Sequence, residues 1–97
     1  MTKTFDLTAK EFKAARAFVA SCLKGMGGDR PADLADDEYT WIDLGDLLKV
    51  GFTRHEAAGL MSSLDAKGFI SEYEKNQWIV ETAGWQWMDT RWDESAA

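Results

Sequence analysis

Residues 53–63 carry the side chains best placed to bind something. Arg54 and His55 open the stretch, and Ser62 and Ser63 follow about two turns later at helical spacing. A guanidinium, an imidazole and two hydroxyls are donors suited to phosphate oxygens or to base edges. Between them, Ala58 and Gly59 offer no hydrogen bond and leave a smooth patch on which another backbone can approach closely. The polar run 72–77 adds Lys75 and Asn76.

Other constellations carry less chemistry. His55 is the lone histidine and has no Ser or Cys partner in a recognisable nucleophile motif, so an enzyme is not expected. The one cysteine, Cys22, excludes an intramolecular disulfide and lies on an apolar helical stripe, where a thiol acts as a small buried hydrophobe. Gly25, Gly27 and Gly28 follow a helix rather than a strand, unlike a phosphate-cradling loop. Asp33, Asp36, Asp37 and Glu38 invite a metal reading. They lack the alternating oxygen ligands and closing glutamate of a calcium loop, and read as a solvated acidic segment. No metal and no cofactor are expected.

Charge sets a constraint on partners. The net charge is −6, divided unevenly: residues 1–30 hold six bases against three acids, residues 31–97 five against fourteen. The bases of the first helix, Lys10, Lys13 and Arg16, read as a solvated face, and the chain after residue 30 is acidic. Such a balance opposes generic nucleic-acid binding unless a local patch overcomes it. Ninety-seven residues, 45% hydrophobic and 12% aromatic, make one domain spanning 1–97. No stretch has the apolar length of a membrane span and Met1–Leu7 has no signal core, so the expectation is a cytoplasmic protein with no membrane partner.

The elements that hold these residues announce themselves through caps. Thr8 and Glu11 form one capping box and Thr53 and Glu56 another. The first opens a helix with Phe12, Ala15, Val19, Cys22 and Met26 on one face, stopped by glycines near residue 24. Residues 25–38 read as a flexible acidic loop in which Pro31–Leu34 could hold one helical turn. A short strand over 39–42 precedes a helix from Leu44 to Val50, capped by Asp43 and closed by Gly51. The helix after Thr53 buries Ala57, Leu60, Met61 and Leu64 and ends at Gly68 in a left-handed cap. Phe69–Glu74 and Gln77–Glu81 flank a polar pair and read as a hairpin. A last helix, capped by Thr82 and running from Ala83 to about Arg91, leaves 93–97 as a frayed tail. Trp85 and Trp92 share its face and suit the core, whereas Trp87 points elsewhere and, if exposed, would make an interface anchor.

A helix, a tight turn at Val50–Thr53, a second helix and then a hairpin is the order of a winged helix-turn-helix. The expected fold is α+β and mostly helical: a three-helix core, a short strand, a hairpin wing and a C-terminal helix. Two segments carry a family likeness. Leu60–Ile70, with Leu64, Gly68, Phe69 and Ile70, resembles the end of the recognition helix in transcriptional regulators of the multiple-antibiotic-resistance type. Val80–Met88 is similar to the segment after their wing, and the likeness spans residues 40–90.

That resemblance implies a DNA-binding regulator, usually dimeric. Its third helix would enter the major groove through Arg54, His55, Ala58, Gly59, Ser62 and Ser63, with Lys75 and Asn76 on the wing. The family commonly has hydroxyl residues and an Arg where this chain has Glu56, Ala58 and Gly59. The wing holds Glu72 and Glu74 against Lys75. The alternative is a winged helix used for protein contact, or an acidic mimic of nucleic acid that acts as an inhibitor, of the kind found on mobile elements.

Overall fold

The computed structural model describes residues 4–34, 41–75 and 77–92. Among these residues the chain is α+β: four helices, one 3-10 turn and a three-stranded antiparallel sheet. Residues 1–3, Asn76, the segment 35–40 and the tail 93–97 lie outside the described residues, and with them the amide expected at the wing tip, most of the acidic cluster and the expected start of the short strand.

Helix α1 spans Ala9–Met26. Its capping box is formed as the spacing requires. The Thr8 hydroxyl accepts from the Glu11 amide at 3.1 Å, and the Glu11 carboxylate accepts from the Thr8 amide at 2.8 Å. The helix runs two residues past the expected stop. Gly25 is accommodated in its last turn, and the break comes at Gly27, whose φ of 77° suits a residue without a side chain. Its buried face is Ala14, Ala15, Phe18, Val19, Cys22 and Leu23, while Met26 is exposed.

Beyond α1, Pro31–Leu34 forms the 3-10 turn, with Pro31 and Leu34 buried. Arg30 ties this turn to the far end of the chain. Its Nε lies 3.1 Å from Asp89 Oδ1, and Asp89 also accepts from the Ala32 amide at 3.3 Å.

Strand β1 (Trp41–Ile42) leads into α2 (Leu44–Leu48), which ends two residues before the expected Val50. A turn through Gly51, at φ 103°, then delivers the chain to α3 (Arg54–Ala66). The second capping box is complete: Thr53 Oγ1 accepts from the Glu56 amide and Glu56 Oε1 from the Thr53 amide, both at 3.1 Å. Ala57, Leu60, Met61 and Leu64 are all buried, as their period demands.

Gly68 (φ 80°) turns the chain into β2 (Ile70–Glu74), which pairs with β3 (Gln77–Val80). The sheet order is β1-β3-β2. Ile42 faces Trp78, and Val80 faces Ile70. The period-2 alternation therefore turns Ile42, Trp78, Val80 and Ile70 to one face and Trp41 and Ile79 to the other.

Helix α4 spans Thr82–Arg91. Its cap differs from the sequence expectation. Glu81, not Thr82, is the capping residue, and its carboxylate makes no capping hydrogen bond but accepts from the Ser71 hydroxyl. Trp87 is also corrected, because it is buried and not an exposed anchor. Phe5, Phe12 and Phe69 meet its indole edge to face, with centroids 5.6, 5.9 and 6.2 Å away. The segment before α1 supplies Phe5 and closes over that side of α4. Trp85 and Met88 fill the other side.

Candidate interface on α3 and the hairpin

The third helix presents Arg54, His55, Ala58, Gly59 and Ser62 to solvent, whereas Ser63 is half-buried at the margin of that face. Lys75 is exposed just past the end of β2. His55, Gly59 and Ser62 fall opposite the buried stripe of the amphipathic helix, while Ala58 lies at its edge and Arg54 on its flank in the first turn.

Charge along α3 is graded from one end to the other. Around its first turn, bases from α1 gather. Lys10 Nζ lies 3.2 Å from Glu56 Oε2, and Lys13 Nζ sits 5.3 Å from the Phe52 ring centroid. Arg54 and His55 join them. Glu56 accepts from the Thr53 amide and then from Lys10, and these bonds hold its carboxyl below the ordinary range. The one acid in the cluster is thus kept ionised and offsets Lys10.

Several other bases are engaged by groups within the fold, whereas Lys24, Lys49 and Lys75 are exposed. Arg16 stacks 3.8 Å above the Trp92 ring and donates to the Trp92 carbonyl at 3.0 Å. Lys67 binds Glu11 at 2.6 Å, Arg30 binds Asp89, and Arg91 lies 5.0 Å from the Trp87 centroid. The expectation of a solvated basic face on α1 therefore holds for Lys10 but not for Arg16. Charges that a tally by sequence counts as available are held by carboxylates, carbonyls and aromatic rings.

Toward the other end of α3 the surface becomes apolar and acidic. Ala58, Met61, Ser62 and Asp65, successive positions on one stripe, form a groove of about 340 Å³ with Leu44 from α2 and Trp78 from β3. Leu44 and Trp78 are only half-buried, so hydrocarbon and indole are open to a visitor. Asp65 is exposed on its wall, and Glu72 stands opposite Trp78 in the sheet. Sequence reasoning reached Ala58 and Ser62 but missed Leu44, Met61, Asp65 and Trp78. The helical period could have flagged Asp65, whereas the approach of Trp78 depends on how the hairpin folds back.

The remaining open features are simpler. Trp41 and Tyr73 are exposed on the outer sheet face and meet edge to face at 5.3 Å. Cys22 is buried, with its sulfur 3.8 Å from the Trp41 carbonyl. Among the described residues no group of three metal-ligating side chains converges, and no helix is long and apolar enough to cross a membrane. The chain matches no protein-family model, no curated protein and no solved structure.

Proposed function

We propose that the protein is a winged-helix binding module whose α3–hairpin face docks another protein. The element order supports the architecture: α1, α2 and α3, a hairpin directly after α3, and β1 completing the sheet beside β3. One observation carries the functional reading. The face on which a winged helix would track a nucleic-acid backbone holds an apolar groove walled by Asp65, with Glu72 opposite its Trp78. Phosphate affinity grows with the number of cations brought to the backbone, and each carboxylate there subtracts from it. A half-open Trp flanked by small residues is instead the composition of a protein contact.

A second reading, a DNA-binding regulator, is favoured by the cluster of Lys10, Lys13, Arg54 and His55 at the start of α3. Helix N-termini suit phosphate, and these bases would add to the attraction. The two readings part in one experiment: titration with random-sequence duplex DNA at low salt, alongside crosslinking from a photoreactive residue at position 58. Capture of a protein from position 58 but not from position 24, with no DNA binding, supports the protein module. DNA binding that weakens steeply with salt and is lost in Arg54→Ala overturns it in favour of the regulator.

A further inference from the structure

The groove between α3 and β3 has a chemical character that narrows its occupant. Its lining combines hydrocarbon from Leu44 and Met61, the half-buried indole of Trp78, the hydroxyl of Ser62 and the carboxylate of Asp65. A purely apolar side chain would satisfy the floor and leave the Asp65 carboxylate partly desolvated without a partner, which is costly. An anionic group would meet Asp65 and Glu72 as like charges. The complementary shape is a long apolar stem that ends in a flat cation. Arginine meets every requirement: its stem packs on Leu44 and Met61, and its guanidinium stacks on an indole and bonds a carboxylate with paired donors. Beside the groove, Ala58 and Gly59 are exposed, and space around Gly59 is open. The backbone that carries the arginine can therefore lie close against α3.

We propose that this groove is an arginine-accepting subsite for a basic protein segment. The proposal rests on the reading of this face as a protein-docking surface and adds the chemistry of the partner. The net charge of −6 favours the approach of a basic segment, and Asp65 on the groove wall with Glu72 opposite Trp78 gives its arginine a local partner.

The test uses the whole protein, labelled with ¹⁵N, and short basic peptides capped at both ends. One contains a central arginine; otherwise identical peptides contain lysine, citrulline or glutamate there. The expected result is saturable movement of the Trp78 indole signal, assigned by its loss in Trp78→Phe, together with the Ser62 amide. Affinity should fall severalfold with lysine and about tenfold with citrulline or in Asp65→Asn, the loss expected for a charge-assisted contact. Lys24→Ala, on α1, should bind unchanged. Equal affinity for arginine and lysine peptides, indifference to Asp65→Asn, or no movement at Trp78 would each overturn the subsite. Movement confined to Trp41 and Tyr73 would overturn the subsite yet leave protein docking standing. Duplex DNA shifting the Trp78 and Ser62 signals would overturn the docking reading itself.

Discussion

The Lys67 ammonium lies 2.6 Å from a Glu11 carboxylate oxygen, and the same carboxylate accepts from the Thr8 amide. One side chain thus caps the first helix and also receives the residue that follows the third. Lys67 donates to the Asp6 carbonyl as well, at 2.6 Å, so the segment that bears Phe5 is pinned by the same group. The end of α3, the start of α1 and the cover over Trp87 meet at this pair.

The pair has a pH signature. The bond from Lys67, then the Thr8 amide, holds the Glu11 carboxyl below its ordinary value in the folded protein. A carboxyl lowered by folding contributes stability that is full above its unfolded pKa and disappears as pH falls through the folded one. Glu11→Gln should therefore melt below the parent protein at neutral pH. The gap should close progressively below about pH 4, where the parent's own carboxylate takes up a proton. Thermal melts of the two proteins from neutral to strongly acid pH check this, and a gap that widens on acidification would contradict it.

Two glycines should respond to alanine with opposite signs. A methyl at Gly59 meets nothing within 4 Å, so Gly59→Ala gains helix propensity and should stabilise by roughly 1 kcal/mol. A methyl at Gly84 would lie 3.0 Å from the Phe69 carbonyl and 3.1 Å from Val80 Cγ1. That carbonyl is already fixed by the Glu81 amide at 2.9 Å, so it has little room to give. Gly84→Ala should destabilise by about 1–3 kcal/mol, the usual cost of overpacking. Denaturant titrations measure both.

Trp87 and Trp41 separate core from surface. Trp87→Ala opens the ring cluster of Phe5, Phe12 and Phe69, and should cost about 3–5 kcal/mol. Trp41 is 42% exposed, and Trp41→Ala should cost much less. Comparable losses in equilibrium unfolding would contradict the buried position of Trp87.

The 3-10 turn depends on a contact across 59 residues of chain. Asp89→Ala removes the acceptor for Arg30 Nε and for the Ala32 amide. The pair is partly exposed, so global stability should drop by only about 1 kcal/mol. Local opening is the sharper readout. Amide exchange and protease cleavage across residues 29–34 should accelerate severalfold while the α3 amides keep their protection, and uniform acceleration would refute the local link.

The elements themselves were legible in the sequence because their causes are local. Capping boxes at Thr8–Glu11 and Thr53–Glu56, the stripe from Ala57 to Leu64 and the Gly68 stop each involve residues within a few turns of one another. Helix ends were less legible. Gly25 does not end α1, since the break requires a left-handed residue and Gly27 supplies it. Thr82 looked like a cap, but Ser71 engages Glu81 from the neighbouring strand and the helix begins one residue earlier than expected.

By itself the sequence determined the α+β class, the order of elements, the exposed stripe Arg54–Ala58–Ser62 and the acidic excess after residue 30. Those follow from period, caps and composition, which are additive and near in the chain. Only the tertiary structure decided which charges remain available and where apolar surface stays open. Arg16, Arg30 and Lys67 are engaged by groups far along the chain, at Trp92, Asp89 and Glu11. Trp87 is covered by Phe5, whereas Trp78 is left half-open beside Met61 and Asp65. Whether an indole is core or anchor depends on what another segment places over it, and no local pattern records that.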